Sequence, residues 1–140
     1  MILLDTNVVS EIFKPAPAEA VRAWLDARRD IDVHLCSPVL AELRYGLERL
    51  PPGRRKSHLA AQIARLQTDI FLGRVLPFDE AAATAYGGLV AGCERRGQPI
   101  STMDAMIAAV ALAHHAVLAT RNVRHFAHTG LDLVNPFEAE

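Results

Sequence analysis

Short apolar runs alternate with stretches of helical periodicity along this chain, and that alternation constrains its fold more than any other feature. The runs lie at residues 2–4, 32–36, 74–78 and 116–120, with a fifth at 131–134. After the first, residues 8–13 make a turn or two of helix that Lys14-Pro15-Ala16-Pro17 ends, and Val21, Trp24 and Leu25 then recur at helical spacing. Ser37-Pro38 opens a helix, with Ser37 as its cap and Pro38 at its first position. Val39, Leu43, Leu47 and Leu50 form that helix's inner stripe, and Pro51-Pro52-Gly53 stops it. A long amphipathic helix over 54–72 turns Leu59, Ile63, Leu66 and Ile70 inward. Another runs from a cap at Asp79 to Arg96, with Gly97 ending it, and Ser101-Thr102-Met103-Asp104 starts an alanine-rich helix that reaches His114 or His115. Strands alternating with helices pair in parallel through right-handed crossovers. The expected fold is therefore α/β, a mostly parallel central sheet of four to five strands covered on both faces.

With 140 residues, 51% of them apolar and 22% charged, the chain is expected to form a single domain over 1–140 with its own core. The net charge of −1 leaves no global attraction to nucleic acid or membranes, so any such binding must come from local patches. Cys36 and Cys93 lie in apolar surroundings without metal-ligand spacing and read as buried thiols. No basic leader precedes the first apolar run, and the alanine-rich stretch is far shorter than the ~20 residues of a membrane span. A cytoplasmic protein with no membrane association is expected.

The informative residues are acids at strand ends. In open α/β sheets, sites form beyond the carboxyl ends of the strands. Asp5 sits at such an end; Glu42 lies in the early turns of the helix after the second strand; Asp104 lies in the first turn of the helix leading to the fourth. Asn122, just after that strand, reaches the same rim. Each has an ordinary local explanation. Asp5 suits an Asx-turn or cap, Asp104 a capping box with Ser101, Glu42 a solvated helix edge, and Asn122 a turn. Their convergence on one rim is what favours a site. Carboxylates brought together repel unless a cation intervenes, and an all-oxygen set favours Mg²⁺, with Mn²⁺ as the alternative. Such an ion orients and acidifies water and bridges to phosphate.

The segments ILLDTNVVSEIF, SPVLAELRYGL, STMDAMIAAVA, ATRNVRHF and LDLVNPF, in this order from Met1 to Phe137, resemble the PIN-domain ribonucleases, and more narrowly the VapC-type toxins of toxin–antitoxin pairs. The resemblance implies a PIN-like three-layer α/β/α sandwich and a Mg²⁺- or Mn²⁺-dependent endoribonuclease that hydrolyses RNA phosphodiester bonds with a metal-activated water. It further implies a cognate antitoxin protein and a homodimer. Carried over by position, the family's acids fall on Asp5, Glu42 and Asp104; Glu42 is either a ligand or a base. Thr6, Asn7, Thr102 and Thr120 become polar support, and Arg121 and Arg124 candidate phosphate contacts. Asn122 departs from the Asp of many PIN domains, which removes one negative charge and points to one well-bound ion, a second arriving only with RNA phosphate.

Other features fit less. Arg54-Arg55-Lys56 and Arg95-Arg96 read as solvated helix ends, and His114-His115 cannot face the same way on a helix, which disfavours zinc. Trp24, Tyr45, Phe71 and Phe78 are spaced like core or partner-contact residues rather than a stacking platform. A haloacid-dehalogenase-type phosphatase needs a second Asp where Asn7 stands. The remaining rival is a catalytically silent PIN-like module acting by RNA or partner sequestration, which Asn122 keeps open.

Overall fold

In the computed structural model, which describes residues 1–138, five parallel strands form one sheet in the order β3-β2-β1-β4-β5. They are β1 (Ile2–Leu4), β2 (Val33–Cys36), β3 (Val75–Leu76), β4 (Val117–Ala119) and β5 (Leu133–Val134). Six α-helices connect and flank them: α1 (Thr6–Ile12), α2 (Glu19–Asp26), α3 (Ser37–Glu48), α4 (Arg54–Arg65), α5 (Glu80–Arg95) and α6 (Thr102–Ala113).

Successive residues of a strand point to opposite faces, yet Leu3 and Leu4, Leu35 and Cys36, and Leu118 and Ala119 are all fully buried. Both faces of the sheet are therefore covered, as the continuous apolar runs require. Helix α6 is buried over Ala105 and Ile107–Ala111, apolar nearly all round, and packs chiefly on α5. The chain leaves β1 toward β2 and β3 on one side and returns to β4 and β5 on the other. The order reverses between β1 and β4, and this switch point is where a sheet of this kind opens a crevice.

Helix ends follow their local chemistry. The Asp79 carboxylate accepts from Ala82 N at 3.1 Å to start α5. At its other end Gly97, at φ 67°, closes a Schellman turn in which Gln98 N donates to Cys93 O and Gly97 N to Glu94 O. Cys36 and Cys93 are buried and free, and burial pushes the Cys36 thiol up to about 12.

Two expectations from periodicity fail, each for a physical reason. The long helix after Gly53 does not stay α-helical to residue 72: α4 ends at Arg65 and a π turn follows over Leu66–Ile70. There Phe71 N donates to Leu66 O at 2.8 Å. A π turn spends an extra residue, which rotates the inner stripe by one position. Phe71 is buried after Ile63 and Leu66, and Ile70 is turned 43% to solvent. Ser37 is not a cap either. The cap position is Cys36, without a side-chain bond, and the Ser37 hydroxyl instead accepts from Phe78 N at 3.0 Å, tying the start of α3 to the end of β3.

Candidate active site

Asp5 follows β1 directly, and its backbone N–H extends the sheet by donating to Ala119 O at 2.9 Å. It is also the N-cap of α1, its Oδ1 accepting from Thr6 N at 2.8 Å. Oδ2 accepts from the fully buried Thr120 hydroxyl at 2.7 Å and from Asn7 Nδ2 at 3.1 Å. Both supports are anchored in turn: Thr120 Oγ1 accepts from Asn122 N at 3.0 Å, and Asn7 Oδ1 accepts from Arg121 N at 3.0 Å. The ordinary role of a cap and the special role of a fixed carboxylate coexist in one side chain. Two adjacent strand ends hold it at the switch point, and only 4% of the residue remains exposed.

Glu42 reaches the same place from the middle of α3, where its Oε1 accepts from the Thr6 hydroxyl at 2.5 Å. Asp104 arrives from the first turn of α6, its N–H donating to Ser101 Oγ at 3.2 Å. Only that half of the expected capping box forms. The Asp104 carboxylate lies 3.4 Å from His125 Nδ1. Asp5, Glu42, Asp104 and Asn122 line one cleft of about 400 Å³ together with Thr6, Asn7 and Arg121. Thr120 supports it from behind. Thr102 and Arg124, grouped with these residues from sequence, are exposed and outside the lining.

Crowding sets the electrostatics. Burial raises the Asp5 carboxyl above its ordinary range and the charge of Asp104 adds to this, while the bonds from Thr120, Thr6 and Asn7 oppose it. Glu42 is raised by burial and then by the charges of Asp5 and Asp104, against the Thr6 bond. Among the described residues neither Asp5 nor Glu42 has a basic side chain paired with it. Both therefore take up a proton more readily than an exposed carboxylate would, unless positive charge enters the cleft.

Among the described residues no three Asp, Glu, His or Cys side chains converge closely enough to chelate an ion by themselves. That geometry does not suit zinc, which takes a closed shell of protein ligands. Any ion at these carboxylates would have to complete its shell with water. Residues 2–131 match the PIN domain family. The chain belongs to that family.

Its relatives narrow the place. This PIN domain is 41% identical to VapC ribonuclease Y4jK of Sinorhizobium fredii over 99% of both chains, and 39% identical to Toxin FitB of Neisseria gonorrhoeae over 98% of this chain and 99% of that one. The solved structure of FitAB bound to an IR36 DNA fragment superimposes with a TM-score of 0.91 at 38% identity, covering 100% of this chain and 98% of that one. The protein is a VapC-family toxin by descent and by fold.

Three residues lining the PIN-domain cleft, Ser10, Glu11 and Lys14, escaped the sequence reading. Glu11 is 6% exposed, one turn beyond Asn7, and its oxygens accept from Lys14 Nζ and Ala18 N, each at 2.9 Å. Those bonds hold its carboxyl below the ordinary range. They also pin the loop after α1 and fix Lys14 at the cleft wall. An acid inside the apolar stretch 8–13 was the available signal.

Proposed function

We propose that this PIN domain is a divalent-cation-dependent endoribonuclease toxin that hydrolyses RNA phosphodiester bonds. The observation that carries the reading is the shared cleft: Asp5, Glu42 and Asp104 all line it at the switch point of the sheet, with no basic side chain among the described residues paired to Asp5 or Glu42. Mg²⁺, or Mn²⁺ in its place, fits this all-oxygen set and would supply the charge that orients and acidifies the attacking water and offsets charge on the phosphoryl group.

Asp5 and Asp104 are the residues that would hold the ion, directly or through water. Glu42, whose Oε1 accepts from the Thr6 hydroxyl, lines the cleft and would serve either as a ligand or as the base that aligns the water. Asn122 contributes a neutral carbonyl oxygen, so the cleft favours one resident ion, a second entering with the substrate phosphate. Arg121, stacked 4.1 Å from the Phe137 ring, stands at the mouth to meet that phosphate. The related VapC ribonuclease supports the substrate class, and the related FitAB complex supports a cognate antitoxin protein as the partner that silences the site. A homodimer is part of the reading. A cytoplasmic location is part of the reading as well, and no helix among the described residues is long and apolar enough to cross a membrane.

The test uses purified chain freed of antitoxin and end-labelled RNA. Cleavage with Mg²⁺ or Mn²⁺, its loss in EDTA and its loss in Asp5→Asn are expected. Equal cleavage by the Asp5→Asn protein would refute the assignment.

A further inference from the structure

A second cavity, of about 450 Å³, runs between α1, α3 and α4 beside the carboxylate cleft. The two share Thr6, Ser10, Lys14 and Glu42 as a common wall, so they form one continuous trough. The chemistry changes along it. Beyond Glu42 the walls are apolar, made by Phe13, Leu43, Leu50 and Leu59, while Lys14, Arg55 and His58 stand exposed on the rim. Glu42 is the one acid in this lining among the described residues. The size is that of a ligand pocket.

We infer that this trough is a nucleoside subsite, which takes the base and ribose next to the scissile phosphate of a single-stranded RNA. The inference rests on the ribonuclease reading above and adds where the substrate lies. An apolar slot with an aromatic edge, bordered by cations, matches a polymer that carries one apolar base face and one phosphate per unit. A base held in a duplex cannot enter such a slot, so the trough selects unpaired strands. Lys14 is fixed for its part. Buried Glu11 holds its ammonium at 2.9 Å where the two cavities join, and a lysine keeps further donors for a phosphate oxygen. Arg55 and His58, on the first turns of α4, continue the path along the outer rim.

Gly46 gives the test. It lies inside α3, lines the apolar part, and no heavy atom stands within 4 Å of where a Cβ would be. Gly46→Leu adds bulk to that lining from a Cβ position that meets no heavy atom, and helix propensity favours the change. On a single-stranded RNA oligonucleotide with a mapped cut, Gly46→Leu should lower kcat/KM at least about tenfold, the order expected for one lost stacked base. Its Tm should be unchanged or higher. An abasic residue placed on each flank of the cut in turn should, on one flank, reduce the unmodified protein to the level of Gly46→Leu and cost the variant nothing more.

Unchanged kcat/KM and unchanged cut sites in Gly46→Leu would overturn the subsite. So would abasic and Gly46→Leu losses that multiply on both flanks. Intact cleavage with weakened inhibition by the antitoxin would overturn it in favour of a protein seat. If the unmodified protein cleaves no RNA with either cation, the ribonuclease reading fails first and the subsite with it.

Discussion

Thr120→Val isolates the support beneath Asp5. Valine fills the space of threonine in a fully buried position but removes the hydroxyl that donates to Asp5 Oδ2 at 2.7 Å and accepts from Asn122 N at 3.0 Å. Asn122 is exposed, so water replaces its lost acceptor. Asp5 is not, and it keeps two of its three donors. A hydrogen bond to a charged group contributes about 1.5–3 kcal/mol, so the variant should lose about 2 kcal/mol. At roughly 2.1 cal/mol/K per residue, a chain of 140 residues shifts by about 7 °C for that loss. The assay is thermal and urea unfolding at neutral pH in EDTA, repeated in Asp5→Asn. With a neutral amide at residue 5 the Thr120 bond has no charge to assist it. The same substitution should then cost about 1 kcal/mol, leaving a coupling of about 1 kcal/mol between the two positions. Equal costs in the two backgrounds would refute the view that the Thr120 hydroxyl serves the Asp5 charge.

The raised Asp5 and Glu42 carboxyls carry a pH signature. A folded state that binds these protons more tightly than the unfolded chain loses stability as pH rises from the ordinary carboxyl range through the raised values. In EDTA at neutral pH, Asp5→Asn should therefore melt above the unmodified protein, and the gap should close on acidification; a gap that widens in acid would contradict this. Added Mn²⁺ should stabilise the unmodified protein in proportion to its occupancy and Asp5→Asn much less, as thermal shifts over a Mn²⁺ titration would read. The π turn predicts an inversion of ordinary stripe logic: Phe71→Ala should cost about 3 kcal/mol or more and Ile70→Ser under about 1, measured by urea unfolding.

What sequence could reveal here follows from the range of the forces involved. Strand–helix alternation, the Asp79 cap and the Gly97 stop are encoded by near neighbours, and they are found where local chemistry puts them. That Asp5, Glu42, Asp104 and Asn122 share one cleft was legible because topology alone sends strand C-termini and helix N-termini to one edge. Side-chain direction is a different matter. Thr102 and Arg124 sit at that edge in the chain but do not line the cleft, which no spacing rule states. Ile70 and Phe71 exchanged roles through one π turn, and Ser37 gave up its cap for a partner 41 residues away. Glu11 and Lys14 form a pair whose meaning appears only when the loop between α1 and α2 folds back onto it.

The central position of β1 gives the fold a temporal property. Asp5 is synthesised long before the groups that fix it, because its hydroxyl partner lies 115 residues later and Asp104 follows α5. A nascent polypeptide that ends at Arg96 owns two of the three acids and neither the strand nor the threonine that would hold the first of them in place. The carboxylate cleft therefore closes only once β4 has been made, all at once and not by degrees.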